Sequence, residues 1–123
     1  MAYEINLGNA ISLQGNGDLS TLQFCFVTMD STGMVSGAPA AGGAAIGVLG
    51  LPGTAAGRTC AVFTVPGTIA RVKCGGLTVN GSPMMVGNDG KGVLWDGTKK
   101  VVAIALADGQ DGDIIPALLV LQQ

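Results

Sequence analysis

Three aspartates within a short glycine-containing segment form the densest group of potentially reactive side chains in this chain. Asp108, Asp111 and Asp113 all lie in the segment Asp108–Asp113. Several oxygen atoms on a tight loop are the ligands that a hard cation such as Ca²⁺ prefers. The spacing does not match an EF-hand loop, which also needs a glutamate at its twelfth position. We therefore interpret the segment as an acidic hairpin loop and keep cation binding as the alternative.

Catalytic residue types are scarce elsewhere in the chain. The sequence has no histidine, which removes the usual general base near neutral pH and excludes Ser-His-Asp and Cys-His arrangements. A glycine-rich phosphate loop followed by Gly-Lys-Ser/Thr does not occur either. The sequence therefore predicts a protein that is not an enzyme, with no catalytic residues, no cofactor and no metal.

The cysteines favour small buried side chains over a metal site. Cys25, Cys60 and Cys74 are odd in number and widely spaced, whereas a zinc site needs close Cys or His pairs. Each lies in an apolar or alternating segment, where a reduced thiol behaves as a small hydrophobe. A Cys60–Cys74 disulfide is the alternative. The start of the chain, Met1–Glu4, does not resemble a signal peptide, so we expect synthesis in a reducing cytosol.

Charges are too few and too scattered for a nucleic-acid-binding protein. The chain has six basic and eight acidic residues and a net charge of −2. Nucleic-acid binding requires clustered cations, but only Lys99 and Lys100 are adjacent. Trp95, the single tryptophan, is interpreted as a half-buried core residue beside a turn, with a sugar or protein contact as the alternative.

The whole segment between Asp30 and Arg58 carries no charged side chain. It is long enough to cross a membrane, but its glycines, Pro39 and Pro52 prevent the single helix that lipid demands. We therefore predict a loop and strands packed against protein, and no membrane. Charged residues make up 11% of the chain, against roughly 25% in ordinary soluble domains. This shortage predicts that another protein covers part of the surface.

β-strand patterns fill the chain, and no segment predicts a helix. Gly- and Asn-rich turns such as Asn80-Gly81 separate the patterns. We predict strands over Gln23–Met29, Ala45–Leu49, Thr59–Val65, Thr68–Lys73, Lys91–Trp95, Val101–Ala107 and Ile114–Leu121. The fold class is all-β, as a small β-barrel or β-sandwich of short antiparallel strands with Gly-rich turns and an extended N-terminal arm.

Two strands carry further positional information. The nearly continuous apolar run Val101–Ala107 predicts a central strand. Pro116 has no N–H to donate, so we expect it at a sheet edge or a bulge. Residues 1–17 are interpreted as an N-terminal arm or a first strand, and residues 18–123 as a single β domain.

The chain contains a weak internal sequence repeat. Segments 45–65 and 103–121 each consist of a strand, a turn that ends in glycine plus a charged residue, and a second strand. The turns end at Gly57-Arg58 and Gly112-Asp113. Two similar hairpins would form opposing parts of one barrel. A chance likeness between two unrelated hairpins is the alternative.

Small apolar residues and glycines recur at β-hairpin spacing over most of the chain from about residue 18. The segments concerned are Asp18-Leu19-Ser20, Gln23-Phe24, Val27, Ala45–Leu49, Pro52, Ala56-Gly57, Val62, Gly75–Gly81, Asn88–Lys91, Ile104–Ala107 and Gly112-Asp113. In these segments the chain resembles the capsid decoration proteins of tailed bacteriophages, also called cement or head-stabilising proteins. The first 17 residues and Gly67, which follows Pro66, depart from the family pattern.

This resemblance implies a structural virion protein made in the cytoplasm of the host bacterium and bound to the outer capsid surface. It would bridge major capsid protein subunits as a homo-oligomer, with a trimer favoured and a dimer as the alternative. Another virion subunit, of a tail tube or head fibre, and a small carbohydrate-binding β module are the competing hypotheses.

The expected contact surface combines the N-terminal arm with the uncharged segment. Apolar residues at every second position of the arm would let it add a strand to the sheet edge of a neighbour, although an ordinary first strand of the chain's own sheet has the same pattern. The expected contact residues are Tyr3, Ile5, Leu7, Ile11, Leu13, Met34, Val35 and Pro39.

Overall fold

Residues 10–51 and 57–122 are described by the structure, which is a computed structural model. Two short 3₁₀ turns, Ser20–Leu22 and Asn88–Gly90, accompany the strands. No helix among these residues is long and apolar enough to cross a membrane. The strands are β1 (Ala10–Gln14), β2 (Phe26–Met29), β3 (Val35–Gly37), β4 (Gly47–Leu51), β5 (Thr59–Phe63), β6 (Ile69–Lys73), β7 (Pro83–Val86), β8 (Gly92–Leu94), β9 (Ala103–Ala105) and β10 (Ile114–Leu119).

The strands form two five-stranded sheets in which all neighbours are antiparallel. Sheet 1 has the order β1-β5-β4-β2-β3, and sheet 2 has the order β6-β10-β9-β7-β8. The prediction of an all-β fold is confirmed. The architecture is sandwich-like. The barrel alternative is wrong, because no strand of sheet 1 forms a ladder with a strand of sheet 2.

The two sheets repeat one topology. Each strand of sheet 2 takes the place of the strand five positions earlier in the chain, so β1–β5 form repeat 1 and β6–β10 form repeat 2. The registers agree apart from two irregularities in repeat 1, in the β2–β3 and β4–β5 ladders. Val48 pairs with Phe63 in repeat 1 as Ile104 pairs with Leu118 in repeat 2. We call residues at matching register positions counterparts.

The turns between the strands repeat as well. The backbone N–H of Gly57 donates to the carbonyl of Gly15 at 2.8 Å, and that of Gly112 donates to the carbonyl of Cys74 at 2.9 Å. Gly57 and Gly112 have φ of 79° and 90°, values that favour glycine because it lacks a Cβ. The weak internal sequence repeat is therefore part of a duplication of the whole sheet. Its two hairpins lie in opposite sheets.

The predicted strands are all present and β9 is central as expected. Their bounds are shorter than predicted, except that the strand predicted over Ala45–Leu49 lies two residues later, at Gly47–Leu51. The sequence patterns missed β3 and β7. The expectation for Pro116 is wrong, since β10 lies between β6 and β9. Its ladder with β9 ends at Ala117, and the Pro116 carbonyl accepts from the N–H of Leu106 on that side. The position at which Pro116 lacks an N–H donor therefore lies just beyond the end of the short ladder between β9 and β10.

Sheet 1 contributes both of its sides to hydrophobic cores. Phe26 and Val48 on one side join the inner residues of sheet 2, such as Val72, in the larger cluster. Val27 and Leu49, one residue further along each strand, point the other way and pack with Leu19 and Val35 in a smaller cluster inside repeat 1. The larger cluster joins the two repeats into one body.

A missing side chain in repeat 2 makes room for this junction. Gly92 is the counterpart of Val35, because each pairs with the last residue of the preceding strand. A Cβ added at Gly92 would lie 2.5 Å from Met84 Cε, 3.0 Å from Val72 Cγ1 and 3.4 Å from Phe26 Cε2. In repeat 1 the side chain of Val35 fills this position. In repeat 2 the position has no side chain, and the Phe26 ring of repeat 1 occupies the space beside Gly92.

Gly92→Val should destabilise the chain, since the added side chain must displace Phe26 or Met84. We expect the free energy of unfolding to fall by about 2 kcal/mol or more, as for an overpacked core. Denaturant titration measures the loss. Gly17→Val is the control, because a Cβ there would meet nothing within 4 Å. Equal stability of the two variants would contradict this account of the junction.

Candidate interaction surfaces

The outward side of sheet 2 is an apolar surface that crosses all five strands. Burial alternates along β6, β9 and β10, so every second side chain points away from the core. We call this surface the outer face; its residues are Ile69, Arg71, Lys73, Pro83, Met85, Val93, Ile104, Ile114, Pro116 and Leu118.

The composition of the outer face is unusual for a sheet surface in contact with water. An antiparallel sheet with one solvated side normally carries polar residues there. Here the charged members, Arg71 and Lys73, both lie on the edge strand β6, and Ile114 is 48% exposed. Contiguous exposed apolar surface of this kind marks protein contacts.

A second apolar surface is a groove that is lined by residues of repeat 1 and by Arg71 of β6. The side chain of Gln23 closes one part of it by donating to the Gly50 carbonyl at 3.1 Å. Leu51 on its rim is 65% exposed. Arg71, which also belongs to the outer face, connects the two surfaces. We call this surface the apolar groove; it is lined by Ala10, Gln23, Phe24, Gly50, Leu51, Ala61, Phe63 and Arg71.

The described part of the N-terminal arm is a strand of the chain's own sheet. β1 pairs with β5 along its length. Ile11 remains 43% exposed, whereas Leu13 is half-buried against the smaller cluster. Tyr3, Ile5 and Leu7 lie outside the described residues.

The uncharged segment supplies one wrong contact residue. Val35 is fully buried in the smaller cluster, so it is a core residue and not a surface contact. In sequence, Val35 belongs to the uncharged segment, whose lack of a clear strand pattern does not identify it as a core residue. Met34 and Pro39 are half-buried, and the Met34 N–H donates to Asp30 Oδ1 at 3.0 Å.

The acidic loop and the tryptophan have structural hydrogen bonds. Asp108 Oδ1 accepts from the Asn80 N–H, and Asp113 Oδ2 from the Gln110 N–H, both at 2.9 Å. Across residues 10–51 and 57–122, no three His, Cys, Asp or Glu side chains are grouped so that they could hold a metal ion. The indole N–H of Trp95 donates to the Lys99 carbonyl at 2.7 Å and closes its own turn.

The cysteines are free and buried, as predicted, and the alternative Cys60–Cys74 disulfide is not formed. Burial raises the pKa of the Cys25 thiol, although Lys73 and Lys91 act in the opposite direction. Burial also raises the pKa of the Cys74 thiol, whose Sγ lies 3.6 Å from Thr78 Oγ1. Neutral, buried thiols are poor nucleophiles.

The sequence analysis did not predict the outer face, although the sequence contains a pattern for it. β9 and β10 are apolar at successive positions; this pattern predicts a central strand for β9, and Pro116 predicts an edge or a bulge for β10, but neither prediction concerns the outward side. In a two-layer sandwich, a central strand still has one side turned outward. Ile104, Pro116 and Leu118 are the outward residues of those apolar runs.

Comparison with known proteins shows a likeness in fold. No protein-family model matches the chain, and no curated protein matches it. Among solved structures, the fold is similar to that of the head fibre gp8.5 N base of bacteriophage phi29, with a TM-score of 0.63. The match covers 93% of this chain and 95% of that chain at 15% sequence identity. Two proteins with so few identical residues share a fold across nearly their whole lengths.

The thiols provide a test of this burial. Because burial raises the pKa of Cys25 and of Cys74, these thiols ionise at a higher pH in the folded chain than in the unfolded chain. The folded state then binds more protons, so the free energy of unfolding should fall with rising pH. Denaturant titrations between pH 7 and 10.5 measure the slope. The double variant Cys25→Ala/Cys74→Ala should lack most of it; an unchanged slope would contradict the prediction.

Proposed function

We propose that this chain is a structural protein of a bacteriophage virion, bound to the outer surface of the head. The observation that carries the proposal is the match to a head fibre base over 93% of the chain. The resemblance of the sequence to decoration proteins leads to the same part of the virion. A structural role also agrees with an apolar, charge-poor surface and with a chain that has no histidine.

In this proposal the partner is the major capsid protein, and the chain bridges its subunits. The apolar groove is the proposed contact, because Leu51 and Phe63 offer apolar area beside the positive charge of Arg71. Burying exposed apolar surface stabilises a contact by about 25 cal/mol per Å². A homo-oligomer, with a trimer favoured over a dimer, would engage several copies of this contact at once, so that each can be weak.

The base of a head fibre is the second candidate, and the structural likeness favours it directly. A cement protein reinforces many equivalent junctions of the head, whereas a fibre base anchors a projecting part. A reconstruction of decorated heads separates the two: density confined to subunit junctions supports the first, and a protruding fibre supports the second. The carbohydrate-binding hypothesis has less support, since the Trp95 indole N–H is already engaged.

Binding to heads is the direct test. Purified chain should co-sediment with expanded phage heads that lack it, should not bind free capsid subunits, and should delay disruption of the heads on heating. Failure to bind such heads would refute the proposal.

A charge placed in the groove should weaken this binding. We expect Leu51→Lys to reduce affinity for heads by about tenfold or more, because burying an unpaired ammonium costs more than the roughly 1–3 kcal/mol of an unpaired neutral polar group. Leu77→Lys is the matched control, since Leu77 is 60% exposed and lies outside the groove. Titration of heads with labelled variants measures both affinities. Equal binding by the two variants would exclude the groove as the capsid contact.

A further inference from the structure

Phe24, which lines the apolar groove, has a backbone conformation that a side chain disfavours. Its φ is 66°, in the left-handed region, where the Cβ of an L-residue lies too close to the following carbonyl oxygen. The Phe24 N–H donates to the Leu49 carbonyl at 2.7 Å, and the Phe24 carbonyl accepts from the Lys73 N–H at 2.8 Å. The first bond lies within repeat 1 and the second reaches repeat 2, so the fold fixes this conformation from both sides.

Repeat 2 makes the same turn with glycine. Gly81 is the counterpart of Phe24, since it precedes β7 by two residues as Phe24 precedes β2, and the two strands begin at the same register position. The Gly81 N–H donates to the Ala105 carbonyl at 2.7 Å, which matches the bond from Phe24 to β4, and its φ is 84°. Glycine adopts such a conformation at no steric cost. The turn itself therefore does not require the ring of Phe24.

The groove contains a second feature that repeat 2 lacks. The β4–β5 ladder shifts register between Leu49 and Leu51, so that Gly50 is an extra residue on β4. The matching β9–β10 ladder has no such shift. A Cβ added at Gly50 would lie 2.8 Å from Phe63 Cε2, so the absent side chain leaves room for the Phe63 ring. The Gln23 side chain donates to the Gly50 carbonyl and fixes the bulge. Bulges beside binding sites redirect neighbouring side chains in this way.

The turn and the bulge together shape a space for large apolar side chains. Two phenylalanines, two alanines and Leu51 contribute to the lining. The groove has a volume of about 330 Å³, near the lower end of the roughly 300–1,000 Å³ that pockets for whole small molecules span. Such a volume suits one or two side chains presented by a partner.

Charge adds a second requirement on the partner. Arg71 is the single charged side chain among the described residues that line the groove, and none of them is acidic. A partner that covered the groove with apolar atoms alone would take the guanidinium out of water without a compensating bond, which is costly. A carboxylate pairs with a guanidinium through two parallel hydrogen bonds. Symmetric pairing of two grooves would instead bring like charges together.

We propose that the groove receives a large apolar side chain with a neighbouring carboxylate from the capsid protein, and that the Phe24 ring shapes this site. The inference rests on the proposed function and deepens it by stating what the capsid protein presents. Phe24 and Phe63 contact the apolar side chain, and the Arg71 guanidinium binds the carboxylate. The left-handed backbone at Phe24 is retained because it places the ring at the groove, as strain at functional sites commonly does.

Two substitutions of Phe24 separate the ring from the backbone strain. Phe24→Ala and Phe24→Gly both remove the ring, so each should weaken binding to expanded phage heads that lack the chain about tenfold. Phe24→Gly alone relieves the strain, so it should unfold at a higher denaturant concentration than Phe24→Ala. Leu77→Ala is the control for lost apolar area, since Leu77 is 60% exposed outside the groove, and it should bind like wild type.

Zero-length cross-linking tests for the carboxylate. A carbodiimide joins a lysine amine to a carboxylate in direct contact with it, and it does not join a guanidinium. Arg71→Lys should therefore be linked to the capsid protein at residue 71, as read by mass spectrometry, whereas wild type should not. Leu77→Lys is the control and should give no link at residue 77. Arg71→Gln should bind heads about tenfold more weakly and lose part of the salt dependence of binding.

Several results would overturn the inference. These are wild-type affinity in both Phe24 variants, absence of the cross-link together with unchanged binding by Arg71→Gln, or self-association of wild type that both Phe24 variants abolish, which would assign the groove to a second copy. Arg71→Gln changes an exposed residue and decides the matter if the Phe24 variants fail to fold by circular dichroism. Wild type that binds no heads refutes the proposed function as well, whereas head binding that these variants leave unchanged refutes this inference alone.

Discussion

Burial of one side of sheet 1 against repeat 2 is the interaction on which the rest of the structure depends. A single repeat of about fifty residues buries too little surface to be more than marginally stable. The larger cluster supplies the missing burial by bringing Phe26 and Val48 of repeat 1 onto the inner residues of sheet 2. It also explains why sheet 1 has a core on both sides, whereas sheet 2 keeps one side bare. The exposed apolar surface is thus a direct result of how the chain completes its own core.

Local patterns in the sequence predicted most of the strands because burial alternates along several of them, such as β5, β6 and β10. Thr68–Lys73 shows this most clearly, with Ala70 and Val72 inside and Arg71 outside. β3 and β7 were missed for local reasons, since β3 contains a glycine and a register shift and β7 begins with a proline. Pro116 was misjudged because its cost depends on where the neighbouring strand ends, which the sequence of β10 alone does not contain.

Prediction of the interaction surface was less successful, for a different physical reason. Apolar residues indicate burial, but they do not indicate whether the covering partner belongs to the same chain. Val35 and Leu118 are equally apolar in sequence, yet Val35 is fully buried and Leu118 faces outward. Ile11 was expected at a contact and is exposed, although its strand also pairs within sheet 1. The assignment to the cement family remains a prediction; the likeness to a head fibre base at 15% identity shows a shared fold.

The difference between Val35 and Gly92 has a consequence for how such a chain could arise. Repeat 1 fills this position with its own side chain and packs it against Leu19 and Leu49, whereas repeat 2 leaves it empty for an aromatic ring from repeat 1. Once two copies of one unit were joined in a single chain, the two positions were free to diverge. One unit could then complete a core of its own, while the other accepted its neighbour.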